Sequence, residues 1–233
     1  MELNEFENEN AWIEALMENW RRVGGEALQR RGDFKVALAG GKTPEPFYKK
    51  LATAEWPWEA TKCFITDERW VPIEKPESNY RMIYQAFYPR KIQLYRWKTE
   101  LTKPEEAAAD YERVLFSEAG RPPRFDLVIL SIGEDGHTAS LFADTPPLLE
   151  EKRNTAWCYV QKLEAYRLTM TLPLLNIARE IWFVAQGKNK LSWMKELTEE
   201  DVSFPAGIVA HPQGDQSKNR YLQERRCYGF FCE

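Results

Sequence analysis

The chain has few of the groups that hold metals or staple small folds. Its 233 residues include two histidines, His137 and His211, and four cysteines, Cys63, Cys158, Cys227 and Cys232. Two histidines argue against a histidine-rich zinc site, and the cysteines form no CxxC pair and show no metal-ligand spacing. Free thiols in a reducing compartment are the simplest account. Positive charge is not in excess either: 32 basic residues against 36 acidic ones leave a net charge of −4. That argues against a broad footprint for nucleic acid or anionic membrane, although a phosphorylated small molecule needs only a local cluster of cations. No apolar run approaches the length of a membrane span. The first residues, MELNEFENENAWIEALMENW, lack the basic-then-apolar order of a secretory signal. A soluble, cytoplasmic protein is expected. Repeats and low-complexity linkers are absent, and the proline–glycine stretch near Arg121 is too short for a domain boundary, so one domain over 1–233 is expected.

What is present is an alternation of short apolar runs and amphipathic stretches. Trp12, Ile13, Leu16, Trp20, Val23 and Leu28 recur at helical spacing and predict a first helix from about Asn10 to Arg30. Phe34 to Ala39 reads as a buried strand, Gly40 to Thr43 as a turn, and Pro44-Glu45 as a favoured first helical turn. Cys63 to Thr66 predicts a second strand, followed by a polar loop from Asp67 to Glu77 and a helix capped by Ser78. Glu105 to Glu118 predicts a helix, and the run from Leu127 to Leu130 a strand buried on both faces. Ala156 to Val160, Arg167 to Leu172 and Ile181 to Ala185 read as further strands, with helices near Leu174 to Arg179 and Lys190 to Leu197. This order predicts an α/β fold, a Rossmann-like, mostly parallel sheet with helices on both faces.

In such sheets ligands bind beyond the carboxyl ends of the strands. Gly133, Asp135, Gly136 and His137 occupy that place after the Leu127 strand. Asp135 and His137 reach one small volume if Gly136 adopts a backbone conformation that other residues avoid. A histidine titrates near neutrality, and a neighbouring carboxylate can orient its ring and stabilise its charged form, as a general base requires. The alternative is a satisfied turn histidine. Thr138 and Ser140 add hydroxyls there or cap a helix. The Gly40-Gly41-Lys42-Thr43 turn can hold an anion on its backbone N–H groups, or be an ordinary tight turn; it is not the phosphate loop of nucleotide hydrolases. Asp67-Glu68-Arg69 places three charges at another strand end, Ser78-Asn79 opens the following helix, and Arg167, Lys188 and Lys190 are later cations that are either surface charge or a phosphate grip. His211 reads as a turn residue.

In order, AGGKTPEPFY, FITDERWVPIEKPESNYRM, FDLVILSIGEDGHTASLF, RLTMTLPLLNIAREIWFVAQGKNK and FPAGIVAH resemble the 6-phosphogluconolactonase family, within the wider glucosamine-6-phosphate isomerase and deaminase-like group. The resemblance runs from about Phe34 to His211. It implies the NagB/RpiA/CoA-transferase-like form of the fold and a carboxylic ester hydrolase of the oxidative pentose phosphate pathway. That enzyme opens 6-phospho-D-glucono-1,5-lactone to 6-phospho-D-gluconate without metal or cofactor. The residues fit such chemistry, since a lactone needs only a positioned water, a base and donors for the oxyanion. The resemblance implies His137 as base, Asp135 as its orienter or assistant, and Arg69 steadying the carbonyl. It further implies Asn79 as a hydroxyl contact, and the Gly40, Gly41, Lys42 and Thr43 turn with Arg167 and Lys190 as the phosphate site. Lys188 is set aside because the family's glycine, two residues, lysine pattern matches Gly187 and Lys190. The expected partner is a small sugar-phosphate lactone, with no nucleic acid or membrane, and the expected assembly is a monomer or small homo-oligomer.

Three departures stand out. Lys42 replaces the more usual serine, and Ala143-Asp144 replaces Pro-Gly. After Gly214 the tail QSKNRYLQERRCYGFFCE lacks the family's tryptophan, aspartate and alanine-rich helix, and reads as an alternative ending or an altered reading frame. Two rivals remain. Deaminases of the group continue from their histidine into Phe-Asn-Glu-Pro, whose glutamate serves ring opening, whereas this chain continues Thr138-Ala139-Ser140-Leu141-Phe142. A non-catalytic sugar-phosphate-binding regulator would be marked by a fused DNA-binding segment, and none is visible.

Overall fold

The computed structural model describes residues 1–199, 202–212 and 220–233. Its framework is a seven-stranded, entirely parallel sheet. The strands are β1 (Glu2–Phe6), β2 (Phe34–Leu38), β3 (Thr61–Ile65), β5 (Gln93–Tyr95), β6 (Leu127–Ser131), β9 (Glu180–Gln186) and β10 (Arg226–Cys232), in the spatial order β1-β10-β9-β6-β2-β3-β5. The sequence-predicted strands at Phe34, Cys63, Asp126 and Ile181 lie at its centre. Their apolar runs are buried, as expected for parallel strands covered on both faces.

The first helix, α1 (Glu9–Arg31), starts where Asn8 accepts a hydrogen bond from the Ala11 N–H and stops at Gly32, whose φ of 79° only glycine adopts freely. Trp12, Leu16, Trp20 and Val23 form its buried stripe, and the Trp12 indole N–H donates to the Phe230 carbonyl of β10 at 3.1 Å. Then follow α2 (Glu45–Thr53), α3 (Asn79–Phe87), α4 (Pro104–Glu118), α5 (Leu172–Asn176), α6 (Leu191–Glu196), α7 (Pro205–Ala210) and α8 (Arg220–Glu224). Successive residues of β10 show helices on two faces: Phe230 packs on Trp182 below the α1 and α2 aromatics, while a Cβ at Gly229 would meet Met194 of α6. Among the described residues no helix is long and apolar enough to cross a membrane.

Besides the short edge strands β1 and β5, which the sequence reading does not anticipate, the structure differs from the sequence-based expectation in three places. Asp67–Arg69 is a strand, β4, rather than the start of a loop; it pairs antiparallel with β8 (Ala165–Met170), which pairs with β7 (Thr155–Val160). The two late strands predicted near Ala156 and Arg167 therefore belong to a separate three-stranded sheet, not to the parallel one. Period and composition identify them as strands, but no local signal says which sheet a strand joins. The third difference is the tail. Residues 213–219 lie outside the described residues, yet Arg226–Cys232 inserts between β1 and β9, with Phe230, Phe231 and Cys232 buried. The tail thus supplies a strand of the sheet, and its missing family motif hides an aromatic, β-favouring run.

The chain order reverses between β2 and β6. From β2 it continues to β3 and β5; from β6 it continues to β9 and β10. A crevice opens at the carboxyl ends of two such diverging strands, and the turns after β2 and β6 are Gly40–Thr43 and Gly133–His137.

Candidate active site

The loop after β6 is built to push an imidazole against its own backbone. Ile132 bridges Thr138, the Gly133 N–H donates to the His137 carbonyl at 2.8 Å, and the Thr138 hydroxyl donates to Ser131 O at 2.9 Å. Gly136 sits at φ +75°, the conformation that bringing Asp135 and His137 together requires. At Gly133 the demand is for space: a Cβ would stand 2.0 Å from His137 Nδ1 and Cε1. The ring is stacked on Phe142, with centroids 4.2 Å apart. His137 Nδ1 meets Asp135 Oδ1, and the other Asp135 oxygen meets Lys162 Nζ. A carboxylate only accepts, so the imidazole proton is assigned to Nδ1, leaving Nε2 as a free base. Burial pushes His137 down to about 4; Asp67 pulls the other way, and Lys190, Arg167 and Arg69 add to the lowering. From sequence, the neighbouring carboxylate is expected to stabilise the charged form. In the folded chain the carboxylate that opposes the lowering is Asp67, and burial outweighs it.

Thr138 and Ser140 cap no helix. Thr138 closes the turn, and the Ser140 hydroxyl donates to Asp67 Oδ2 at 2.8 Å. Asp67, buried at the start of β4, also accepts from Thr66 Oγ1 at 3.0 Å.

Glu68 is 1 % exposed and organises the entry to α3. It accepts from the N–H groups of Arg69, Asn79 and Tyr80 at 2.8, 2.7 and 2.8 Å, and from the Ser78 hydroxyl at 3.2 Å. An ion placed there suits the positive end of the helix. Asn79 is 2 % exposed; its amide donates to Asp67 O at 2.7 Å, and its Oδ1 lies 1.9 Å from where a Gly40 Cβ would be. The side chain expected to touch a substrate hydroxyl thus also ties the start of α3 to β4 and packs against the β2 turn. Arg69 donates to Glu77 O at 2.7 Å and faces Arg167 across the β4–β8 pair. Burial, and then Arg69, lowers the Arg167 guanidinium.

Lys42 is exposed in the turn after β2, where Gly41 has φ +94°, and this turn with Arg69 and Asn79 lines a cleft of about 490 Å³. Lys190 ends a short 3-10 turn after β9, and burial lowers its ammonium while Glu134 opposes. Lys42, Arg69, Arg167 and Lys190 form no ion pair with any described residue, whereas Lys188 lies 4.0 Å from Glu233. Arg69, Arg167 and Lys190 all act on His137 electrostatically, so cations from β4, β8 and the β9 turn converge on the base. Cations without an ion-pair partner among the described residues, gathered about one imidazole, suit an anionic ligand. His211 bonds Leu197 O at 2.8 Å, away from this set. All four cysteines are free thiols, and among the described residues no three His, Cys, Asp or Glu side chains are grouped to hold a metal ion. Lys162 and Phe142 as neighbours of His137, and Asp67 as the acid facing it, are not expected from the sequence. Only Asp67 leaves a signal there, as a charge at a strand end.

The sequence model of the family described as Glucosamine-6-phosphate isomerases/6-phosphogluconolactonase matches residues 7–218. The chain belongs to that family. The isomerase/lactonase family members it resembles include a 6-phosphogluconolactonase of Synechocystis, 37% identical over 201 residues that cover 82% of each chain. Another, a 6-phosphogluconolactonase of Thermotoga maritima, is 33% identical over 205 residues, 86% of this chain and 90% of the relative. A crystal structure of a 6-phosphogluconolactonase from Thermotoga maritima superposes with a TM-score of 0.84 at 28% identity, covering 100% of this chain and 99% of that one. The parallel sheet with its helices is the family's fold.

Proposed function

We propose that this chain, acting as a single α/β domain, hydrolyses 6-phospho-D-glucono-1,5-lactone to 6-phospho-D-gluconate. The observation that carries the reading is His137 in the turn after β6, its Nδ1 held by Asp135, with Arg69, Arg167 and Lys190 in electrostatic reach of its ring and in no ion pair among the described residues. His137 Nε2 takes a proton from a water as its oxygen attacks the C1 carbonyl. Arg69 stabilises the charge that develops on the carbonyl oxygen. Collapse of the tetrahedral intermediate breaks the bond from C1 to the ring oxygen, which takes the proton back from His137 and becomes the C5 hydroxyl. Arg167, Lys190 and the Gly40–Thr43 turn hold the 6-phosphate. Each step is satisfied by side chains alone, so the proposed reaction is metal-independent. The deaminase alternative lacks its ring-opening glutamate, because Thr138, Ser140 and Phe142 fill that stretch with the turn closure, the Asp67 contact and the ring stack.

The test is hydrolysis of freshly generated lactone, with spontaneous opening subtracted. His137→Ala is expected to lose about a hundredfold or more in kcat, the scale of a general base. An unchanged rate in a folded variant sinks the proposal. Activity is expected to survive exhaustive chelation.

A further inference from the structure

Asp135 has two oxygens, and only one is explained by the histidine. The other is held by Lys162, which comes from a different sheet: it lies in the 3-10 turn Gln161–Leu163 joining β7 to β8. The same ammonium sits 4.9 Å from the centroid of the Phe142 ring on which His137 stacks. Phe142 is 3 % exposed and the Lys162 side chain 52 %, so the ammonium lies over a packed ring while remaining in contact with water, the modest exposed form of this interaction. Three groups of the antiparallel hairpin and the β6 loop therefore meet around one imidazole: a carboxylate at its Nδ1, an aromatic ring on its face, and a lysine that touches both.

This arrangement answers a chemical conflict. A carboxylate beside an imidazole fixes the ring, but it also favours the imidazolium, and a protonated histidine is no base. A cation on the second oxygen offsets that charge while leaving the hydrogen bond in place. The other charged groups facing His137 are Asp67 and Arg69 from β4, Arg167 from β8 and Lys190 after β9. None of these cations touches Asp135; among the described residues its ion-pair partners are His137 and Lys162.

We propose that Lys162 is a positioning residue for the Asp135–His137 pair: its ammonium holds Asp135 Oδ2 and lies on Phe142, so that the carboxylate orients the imidazole without charging it. This rests on the lactonase reading for its use in catalysis, but not for its physical content. With only His137 and His211 in the chain, imidazole NMR resolves both rings, and His211→Asn assigns them. In Lys162→Met the His137 midpoint is expected to rise by about one pH unit. The acid limb of kcat/KM should move with it, KM should stay within about twofold, and Lys162→Arg should restore the native profile. A His137 midpoint that does not move in folded Lys162→Met overturns the proposal. So does a KM raised about tenfold with an unmoved pH profile, which would make Lys162 a phosphate ligand. The titration needs no turnover. A native chain without lactonase activity would defeat the functional reading and still leave the imidazole shift to decide this one.

Discussion

Gly133→Ala adds one methyl group at a place where the backbone tolerates it and the site does not. Gly133 is outside the left-handed region, so the substitution brings no φ strain; the obstacle is the His137 ring. The new Cβ would stand 2.0 Å from Nδ1 and Cε1, so to reach ordinary contact at 3.4 Å the ring must retreat by about 1.4 Å. Phe142, stacked 4.2 Å away, limits that retreat, and Asp135 Oδ1, 2.9 Å from the same Cβ, must shift too. A misplacement of about 1 Å costs on the order of a hundredfold in rate, so kcat is expected to fall by about that factor. The overpacking itself costs about 1–3 kcal/mol, enough to lower Tm by a few degrees without unfolding the chain. Lactone hydrolysis read alongside far-UV circular dichroism and a thermal melt separates the two effects. Gly25→Ala is the control: its Cβ meets nothing within 4 Å in α1, and it should leave activity intact while stabilising by about 0.5–1 kcal/mol. A folded Gly133→Ala protein with kcat within about twofold of native would refute the placement of the imidazole against this turn.

Other expectations follow from the same contacts. For Arg167→Ala or Lys190→Ala, KM should rise about tenfold or more with kcat little changed, because phosphate is held alike in ground and transition states; loss of kcat at constant KM would contradict the role. The acid limb assigned to His137 should lie near 4 rather than near its ordinary 6.5. Since the unfolded chain binds this proton first, the group's contribution to stability is present above about 6.5 and lost as pH falls towards about 4. Denaturant melts of native and His137→Gln protein between those values measure the difference, and identical pH slopes would exclude a depressed imidazole. Truncation after Arg225 removes β10 from between β1 and β9 together with three buried side chains. It should abolish cooperative unfolding, whereas a truncated chain with a native melt would show that strand to be dispensable.

Much of the core is legible in the sequence because local patterns make it so. The apolar run from Leu127 to Leu130 and the glycines around Asp135 mark a strand and a close-packed turn through residue types alone, and Gly136 has the backbone that the pairing of Asp135 with His137 demands. Arg167 is visible as a cation but not as the partner of Arg69, because that meeting depends on an antiparallel pairing across 98 positions of sequence, Arg69 to Arg167. Asn79 reads as a substrate contact from its family motif and its place at a helix start, but its bond to Asp67 O and its packing beside Gly40 depend on the fold.

The sequence by itself determined the strand-and-helix order, the turn carrying Asp135 and His137, and the resemblance to one family, since each rests on residues close together in the chain. Tertiary structure decided what long-range packing controls. It separated β4, β7 and β8 into a second sheet, drew the tail's Arg226–Cys232 into the first, and half-buried His137, so that desolvation outweighs the pull of Asp67. It also carried Lys162 from a distant hairpin onto Asp135. The ordinary properties of a histidine and an aspartate are written in the chain, but their protonation depends on distances and burial that only the folded arrangement sets.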